Sequence, residues 1–226
     1  VPKTIDNDLA ATMMTFGFDS AVACATDAID RLHSTAESHR RVMVLEVMGR
    51  YAGWIAIYAG LAGGADVILI PEIPFQYESV AKKIAEREQA GKHFSIVVVA
   101  EGARASGDDF VTSAGQPQQR EARLGGIGQR VSDEIQRRTG KESRCVVLGH
   151  LQRGGSPTNM DRALCTAFGA KAVELVAERK FGQMVSLAGS QITGVPLAEA
   201  TGKLRTVPLD GGFVTAARSM GICLGD

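Results

Sequence analysis

The chain has 226 residues, 45 % of them apolar and 22 % charged, and its 25 Lys plus Arg balance 25 Asp plus Glu. Zero net charge gives no global pull toward nucleic acid or an anionic membrane, so any anion must be held by a few placed cations. No apolar run approaches the ~20 residues of a membrane span, and Cys24, Cys145, Cys165 and Cys223 show neither C-x-x-C nor Cys/His metal spacing, so a cytoplasmic chain with free thiols is expected.

The chain starts without Met on Val1-Pro2-Lys3-Thr4-Ile5-Asp6-Asn7-Asp8, a polar, loop-like string, and sequence upstream of it is expected. Two acids two apart, beside Lys and Thr, can set a base, a metal contact and a phosphate contact in one loop. The same string also reads as an Asx-rich turn capping a helix. Residues 19–33 read as that helix, with Asp19 as N-cap and Val22, Ala25, Ile29 and Leu32 at helical spacing. Apolar, largely β-branched runs at 42–47, 67–70, 94–100 and 144–148 suit strands buried on both faces of a mainly parallel sheet. Helices are read between them at 53–62, 78–90 and 124–138. Residues 103–122 are polar and Gly-rich and are expected to form an exposed connection. A long helix follows at 157–178, where Pro157 stands after Ser156 and Leu164, Phe168 and Leu175 share one face. Strand alternating with helix means α/β.

Three further motifs lie where strands end, the side on which open α/β sheets bind ligands. Glu46-Val47-Met48-Gly49-Arg50-Tyr51-Ala52-Gly53 leaves a strand and enters a helix, so backbone N–H groups and Arg50 could meet an anion, or Arg50 could be a solvated surface residue. In Ala100-Glu101-Gly102 an acid ends a strand, where it could accept a sugar hydroxyl or be an ordinary strand-end carboxylate. Gly149-His150-Leu151-Gln152-Arg153-Gly154-Gly155-Ser156-Pro157-Thr158 sets His and Arg three apart before two glycines and a helix start, which makes a credible phosphate cradle.

Taken in order, P-K-T-I-D-N-D, E-V-M-G-R-x-x-G-W, the A-E-G strand end and L-G-H-x-Q-R-G-G-S-P closely resemble the phosphofructokinase family, and FGFDSAVACATDAIDRLHSTAESHRRV and GLAGGADVILIPEIPF match it as well. The resemblance spans essentially the whole chain and is loosest over 103–122. It implies two similar three-layer α/β domains with mainly parallel sheets, and a bacterial-type member of a mixed ATP- and pyrophosphate-dependent subgroup. Residues 1–17 and 152–200 would belong to the donor-side domain. Residues 18–151 and 201–226 would form the sugar-phosphate side.

The implied reaction is phosphoryl transfer to the 1-hydroxyl of fructose 6-phosphate, with ATP favoured as donor and pyrophosphate the alternative. The resemblance makes Asp6 the general base, with Asp8 orienting the loop or reaching Mg²⁺ through water. Thr4 would donate to the transferring group and Arg50 would stabilise its charge. The sugar phosphate would meet Thr4, Ile5, Asp6, Met48, Gly49, Arg50, Glu101, His150, Leu151, Gln152 and Arg153. Arg41 and Arg144 would reach it from a neighbouring subunit, so a homo-oligomer is implied. Lys3 stands at the position tied to donor choice. The family's donor loop and main Mg²⁺ ligand lie upstream of T-I-D-N-D, so the chain alone is expected to be inactive. His33 stands where allosteric members carry an effector-binding Arg, and Met13-Met14 replace a usual polar pair. Non-catalytic family members tend to lose the aspartates or the M-G-R arginine; here Asp6, Asp8 and Arg50 are all present.

Overall fold

The computed structural model describes residues 1–107 and 125–226. Strands β1 (Val42–Val47), β2 (Val67–Leu69), β3 (Ser95–Ala100) and β4 (Ser143–Val147) form one parallel sheet in the order β2-β3-β1-β4. Val42 lies opposite both Ser95 and Ser143, which sets the register of the three strands that matter most below. The two-residue period of a strand sends alternate side chains to opposite faces. Met43, Leu45, Val47, Ile96 and Val98 therefore pack with α1 (Phe18–His39) and α2 (Trp54–Ala62). Val42, Val44, Val97 and Val99 pack with α3 (Tyr77–Gln89) and α4 (Ile127–Thr139) on the other face. Both faces of β1 and β3 are covered, which is why their sequences are continuous apolar runs.

β4 departs from that expectation. It is an edge strand whose two faces are only partly covered, by contacts of Val146 on one side and Cys145 on the other, and Val147 is 54 % exposed. At the opposite edge the chain's last segment comes back to the sheet, with Cys223 bridging Val67 in parallel.

The long helix α5 (Asn159–Ala177) packs on an antiparallel hairpin, β5 (Gln183–Ala188) and β6 (Gln191–Pro196), around Leu164, Phe168, Leu175 and Val185. The hairpin and two short helices, α6 (Leu197–Thr201) and α7 (Gly212–Ser219), were not anticipated from the sequence. The hairpin seats on residues 11–14. Met13 N–H donates to the Leu187 carbonyl at 2.9 Å, and Gly189 N–H donates to Met13 Sδ at 3.0 Å. That contact gives the Met13-Met14 pair a structural use. Of the connection read at 103–122, residues 108–122 lie outside the described residues, while Ala103 and Ala105 are buried.

Two helix starts differ from expectation in an instructive way. Gly17, with φ of 96°, is the cap of α1, not Asp19. The capping acceptor comes from α5: buried Asp161 takes Gly17 N–H at 2.8 Å, Ser20 N–H at 2.8 Å and the Ser20 hydroxyl at 2.5 Å. α5 starts at Asn159, two residues beyond the expected 157, and is capped by Thr158, whose hydroxyl also donates to Asp19 at 2.5 Å. Each helix thus completes the other's first turn. Removing a buried charged acceptor strands its donors, so Asp161→Ala is expected to cost about 2–3 kcal/mol. At about 2–4 °C per kcal/mol for a chain of this size, Tm should fall by roughly 4–12 °C in a calorimetric melt.

His33 is also used structurally: its Nε2 lies 2.7 Å from the Gly63 carbonyl that ends α2, and its ring meets Phe94 edge-on. All four cysteines are free, and burial pushes the Cys145 thiol up to about 12. Among the described residues no helix is long and apolar enough to cross a membrane.

Candidate active site

Strand order explains how distant motifs meet. β3, β1 and β4 are neighbours, so Glu101, Met48–Arg50 and Gly149–Arg153 emerge side by side at the carboxyl end of the sheet. Adjacent strands lie ~4.8 Å apart, which brings these loops within side-chain reach of one another. Their backbones are also tied. Glu101 N–H donates to the Val47 carbonyl at 2.8 Å, and Gly102 N–H donates to the Gly49 carbonyl at 3.1 Å. Met48 N–H donates to Oε1 of buried Gln152 at 2.7 Å, fixing the third loop to the first, while the Gln152 amide nitrogen is buried with no partner among the described residues.

Two glycines make the close approach possible. Gly49 sits at φ of 141°, and a Cβ there would lie 2.8 Å from the Ala52 carbonyl. At Gly102 a Cβ would lie 1.9 Å from the Arg50 carbonyl oxygen. No side chain fits either place. Glu46, from the same motif as Arg50, turns its carboxylate to the backbone that opens α4. It is buried and accepts from Gly126 N–H (3.2 Å) and Gly128 N–H (2.7 Å), which closes the N-terminus of α4.

The loop of Thr4 to Asp8 is braced from within. Thr4 Oγ1 accepts from Asp6 N–H at 3.2 Å, which leaves the hydroxyl proton for an outside acceptor. The Thr15 hydroxyl donates to the Thr4 carbonyl at 2.6 Å, and Thr15 N–H donates to Oδ1 of Asn7 at 3.0 Å. Asn7 is left-handed, with φ of 54°, but its side chain accepts from Thr15 rather than from a residue two further on, and the cap of α1 is Gly17, so this is not the helix-capping Asx turn that the sequence also allowed. The loop therefore turns on Asn7 and presents Asp6 beside it.

Electrostatics join this loop to the strand ends. Burial pushes the Asp6 carboxyl above its ordinary value of 3.8; Asp8 pushes it further and Arg153 pulls it down. Burial likewise raises Glu101, which accepts from Gly49 N–H and feels Asp6, Glu46 and Arg153. Asp6, Asp8, Glu101 and Arg153, from three separate motifs, thus form one charged cluster. The Arg50 guanidinium lies 5.2 Å from the Tyr51 ring centroid. Paired half-buried acids whose charge is unfavourable, beside an arginine, suit proton abstraction next to a bound anion.

Other residues singled out from the sequence stand apart. Lys3, His150 and Leu151 are exposed, whereas Arg153 is exposed but acts on both Asp6 and Glu101. Arg41 and Arg144 lie at the opposite end of the strands, where both engage Glu142; Arg41 Nε is 2.7 Å from Oε2 of that residue. They cannot reach the cluster of their own chain. Among the described residues no three His, Cys, Asp or Glu converge on a metal position.

Comparison with known proteins adds the following. The family profile described as phosphofructokinase matches residues 1–176. A protein of Chloroflexus aurantiacus named ATP-dependent 6-phosphofructokinase is 60 % identical over 226 residues, covering all of this chain and 62 % of the relative. A pyrophosphate–fructose 6-phosphate 1-phosphotransferase of Amycolatopsis methanolica is 59 % identical over 209 residues, 92 % of this chain and 61 % of the relative. Among solved structures, a pyrophosphate-dependent phosphofructokinase from Marinobacter aquaeolei superposes with a TM-score of 0.78 at 26 % identity, covering 100 % of this chain and 60 % of that one. The chain spans about 62 % of the length of the curated relatives it matches. By its strand-end motifs, its parallel sheet and this match over residues 1–176, the chain belongs to the phosphofructokinase family.

Proposed function

We propose that the protein containing this chain phosphorylates fructose 6-phosphate on its 1-hydroxyl, giving fructose 1,6-bisphosphate, and that this chain carries the sugar-phosphate side and the base. The observation that carries the reading is the single cluster of Asp6, Asp8, Glu101 and Arg153. In it Asp6 takes the hydroxyl proton, Glu101 holds sugar hydroxyls, and Arg153 with His150 meets the 6-phosphate. Thr4 and Arg50 face the transferring group, where catalysis is positioning plus charge stabilisation. Residues 1–17 and 152–200 then border the donor, and 18–151 with 201–226 border the sugar. Arg41 and Arg144 serve the neighbouring subunit's site in a homo-oligomer; their place at the far end of the strands supports that use.

We favour ATP as donor with pyrophosphate the alternative; relatives at 60 % and 59 % identity carry one name each, which keeps both donors in play. Lys3 would meet the donor's phosphates, and its exposure beside the base loop supports that use. Mg²⁺ keeps several waters and is held by one or two carboxylates plus substrate phosphates. Asp8 fits such an outer contact, and the ion when bound neutralises charge on the donor.

The test is phosphorus NMR of the natural full-length protein incubated with fructose 6-phosphate and either MgATP or pyrophosphate. A new 1-phosphate resonance with at least one donor is expected. No transfer with either donor would sink the reading.

A pH prediction follows from the same cluster. A base works only when deprotonated, so the acid limb of kcat/KM tracks the Asp6 carboxyl. Its charged neighbours set the sign: Arg153→Gln removes the charge that holds the pKa down and should move the limb to higher pH, whereas Asp8→Asn should move it lower. For stability the sign is opposite to that of a paired carboxylate. The folded pKa lies above 3.8, so ionised Asp6 destabilises the fold; that penalty is absent below pH 3.8 and complete above the raised pKa. Full pH–rate profiles of the three proteins check the order of the limbs.

A further inference from the structure

We propose that Arg205 is a positioning residue for Asp6: it braces the base loop against the helix that follows the Arg50 loop. The inference rests on the reading of the site given above and deepens it. Arg205 engages both elements with its backbone and its side chain. Its backbone N–H donates to the Asp8 carbonyl at 2.8 Å, and Nη1 donates to the Asn7 carbonyl at 3.1 Å. The face of its guanidinium lies 4.3 Å from the Trp54 ring centroid, and its carbonyl accepts the Trp54 indole N–H at 2.8 Å. Trp54 is the buried first residue of α2, just beyond the loop that carries Arg50.

The neighbouring residues reinforce the brace. Leu204 pairs antiparallel with Leu9, and Val207 N–H donates to the Glu72 carboxylate at 2.8 Å. That carboxylate also takes Gly53 N–H at 3.0 Å, so the same short segment closes the N-terminus of α2. Among the described residues the ionisable group that acts on Arg205 is the Tyr58 phenol, not a carboxylate. Sinking a guanidinium without a counter-ion is costly unless its N–H groups find acceptors and its face a ring, and here both are backbone and aromatic partners of the site. Thr15 holds the entry to the loop and Arg205 its exit, with Asp6 between the two anchors.

A base must come within ~2.6–3.2 Å of its proton, and an error of ~1 Å in placement costs about 10²-fold. Lysine cannot replace the flat fork that stacks and donates at once. Arg205→Ala in the full-length protein should therefore lower kcat by ~10–100-fold while leaving the KM for fructose 6-phosphate within about threefold. Trp54→Phe should also lower kcat, and the double variant should be no worse than Arg205→Ala within about twofold, because one brace is removed twice.

A thermal melt identifies folded variants. If Arg205→Ala does not fold, Arg205→Lys decides: reduced kcat with sugar-phosphate binding retained by calorimetry supports the brace, and wild-type kcat overturns it. Additive losses in the double variant, or an effect confined to KM, also overturn it. If the wild-type protein transfers no phosphoryl group, the reading of the site fails and the brace with it. If the wild type is active and Asp6→Asn is impaired while Arg205→Ala and Arg205→Lys keep normal kcat, the brace alone is wrong.

Discussion

Asp6→Asn in the full-length enzyme is expected to lower kcat about 10²–10⁴-fold and to leave the KM for fructose 6-phosphate within about threefold. Asparagine keeps the shape of the side chain, and the Asp6 N–H bond to Thr4 is a backbone bond that the change does not touch. What goes is the proton acceptor. Loss of an interaction needed only in the transition state lowers kcat, whereas loss of ground-state binding raises KM. Removing one carboxylate also relieves repulsion on Glu101, whose pKa should fall toward the ordinary range. Steady-state kinetics across a range of sugar phosphate separate the two constants. Near-normal kcat would mean that another group takes the proton.

Gly102→Ala should be as damaging by a different route. Its Cβ would stand 1.9 Å from the Arg50 carbonyl oxygen and 3.0 Å from the Gly49 carbonyl oxygen, both backbone atoms that cannot rotate aside. One strand-end loop must move by more than an ångström, breaking the Gly102-to-Gly49 hydrogen bond. Overpacking costs ~1–3 kcal/mol and sometimes more, and this contact lies at the upper end. Because Glu101 and Arg50 flank the collision, kcat should also fall by ~10²-fold. Gly169→Ala is the matched control: inside α5, a Cβ there meets nothing within 4 Å, so stability should hold or rise by ~0.5–1 kcal/mol. A Gly102→Ala protein that melts at the wild-type temperature with normal kcat would contradict the packing described.

The same collision shows what a sequence conveys and what it leaves out. Val42–Val47 and Ser95–Ala100 were readable as strands because burial on both faces writes a continuous apolar run. The hairpin of Gln183–Pro196 was not, since most of its residues are only partly buried or exposed and Gly194 and Pro196 interrupt the run. Asp19 fitted the pattern of an N-cap, but the acceptor that caps α1 is Asp161, far along the chain, and no local signal announces a cap borrowed from another helix. Motifs at strand ends were visible as motifs. Their convergence depends on the order β3-β1-β4, which spacing along the chain does not encode. Glu46 and Glu72 look like Glu101 in sequence, yet each spends its carboxylate on backbone N–H groups at a helix start. Arg205 stands in a segment with no pattern, and only its contacts with Asn7, Asp8 and Trp54 set it apart.

The most direct test of the central claim is a crystal structure of the full-length protein with fructose 6-phosphate bound. The 1-hydroxyl should lie ~2.6–3.2 Å from the Asp6 carboxylate, a sugar hydroxyl should contact Glu101, and the 6-phosphate should face Arg153. A sugar phosphate bound with its 1-hydroxyl turned away from Asp6, or bound elsewhere on the chain, would contradict the account.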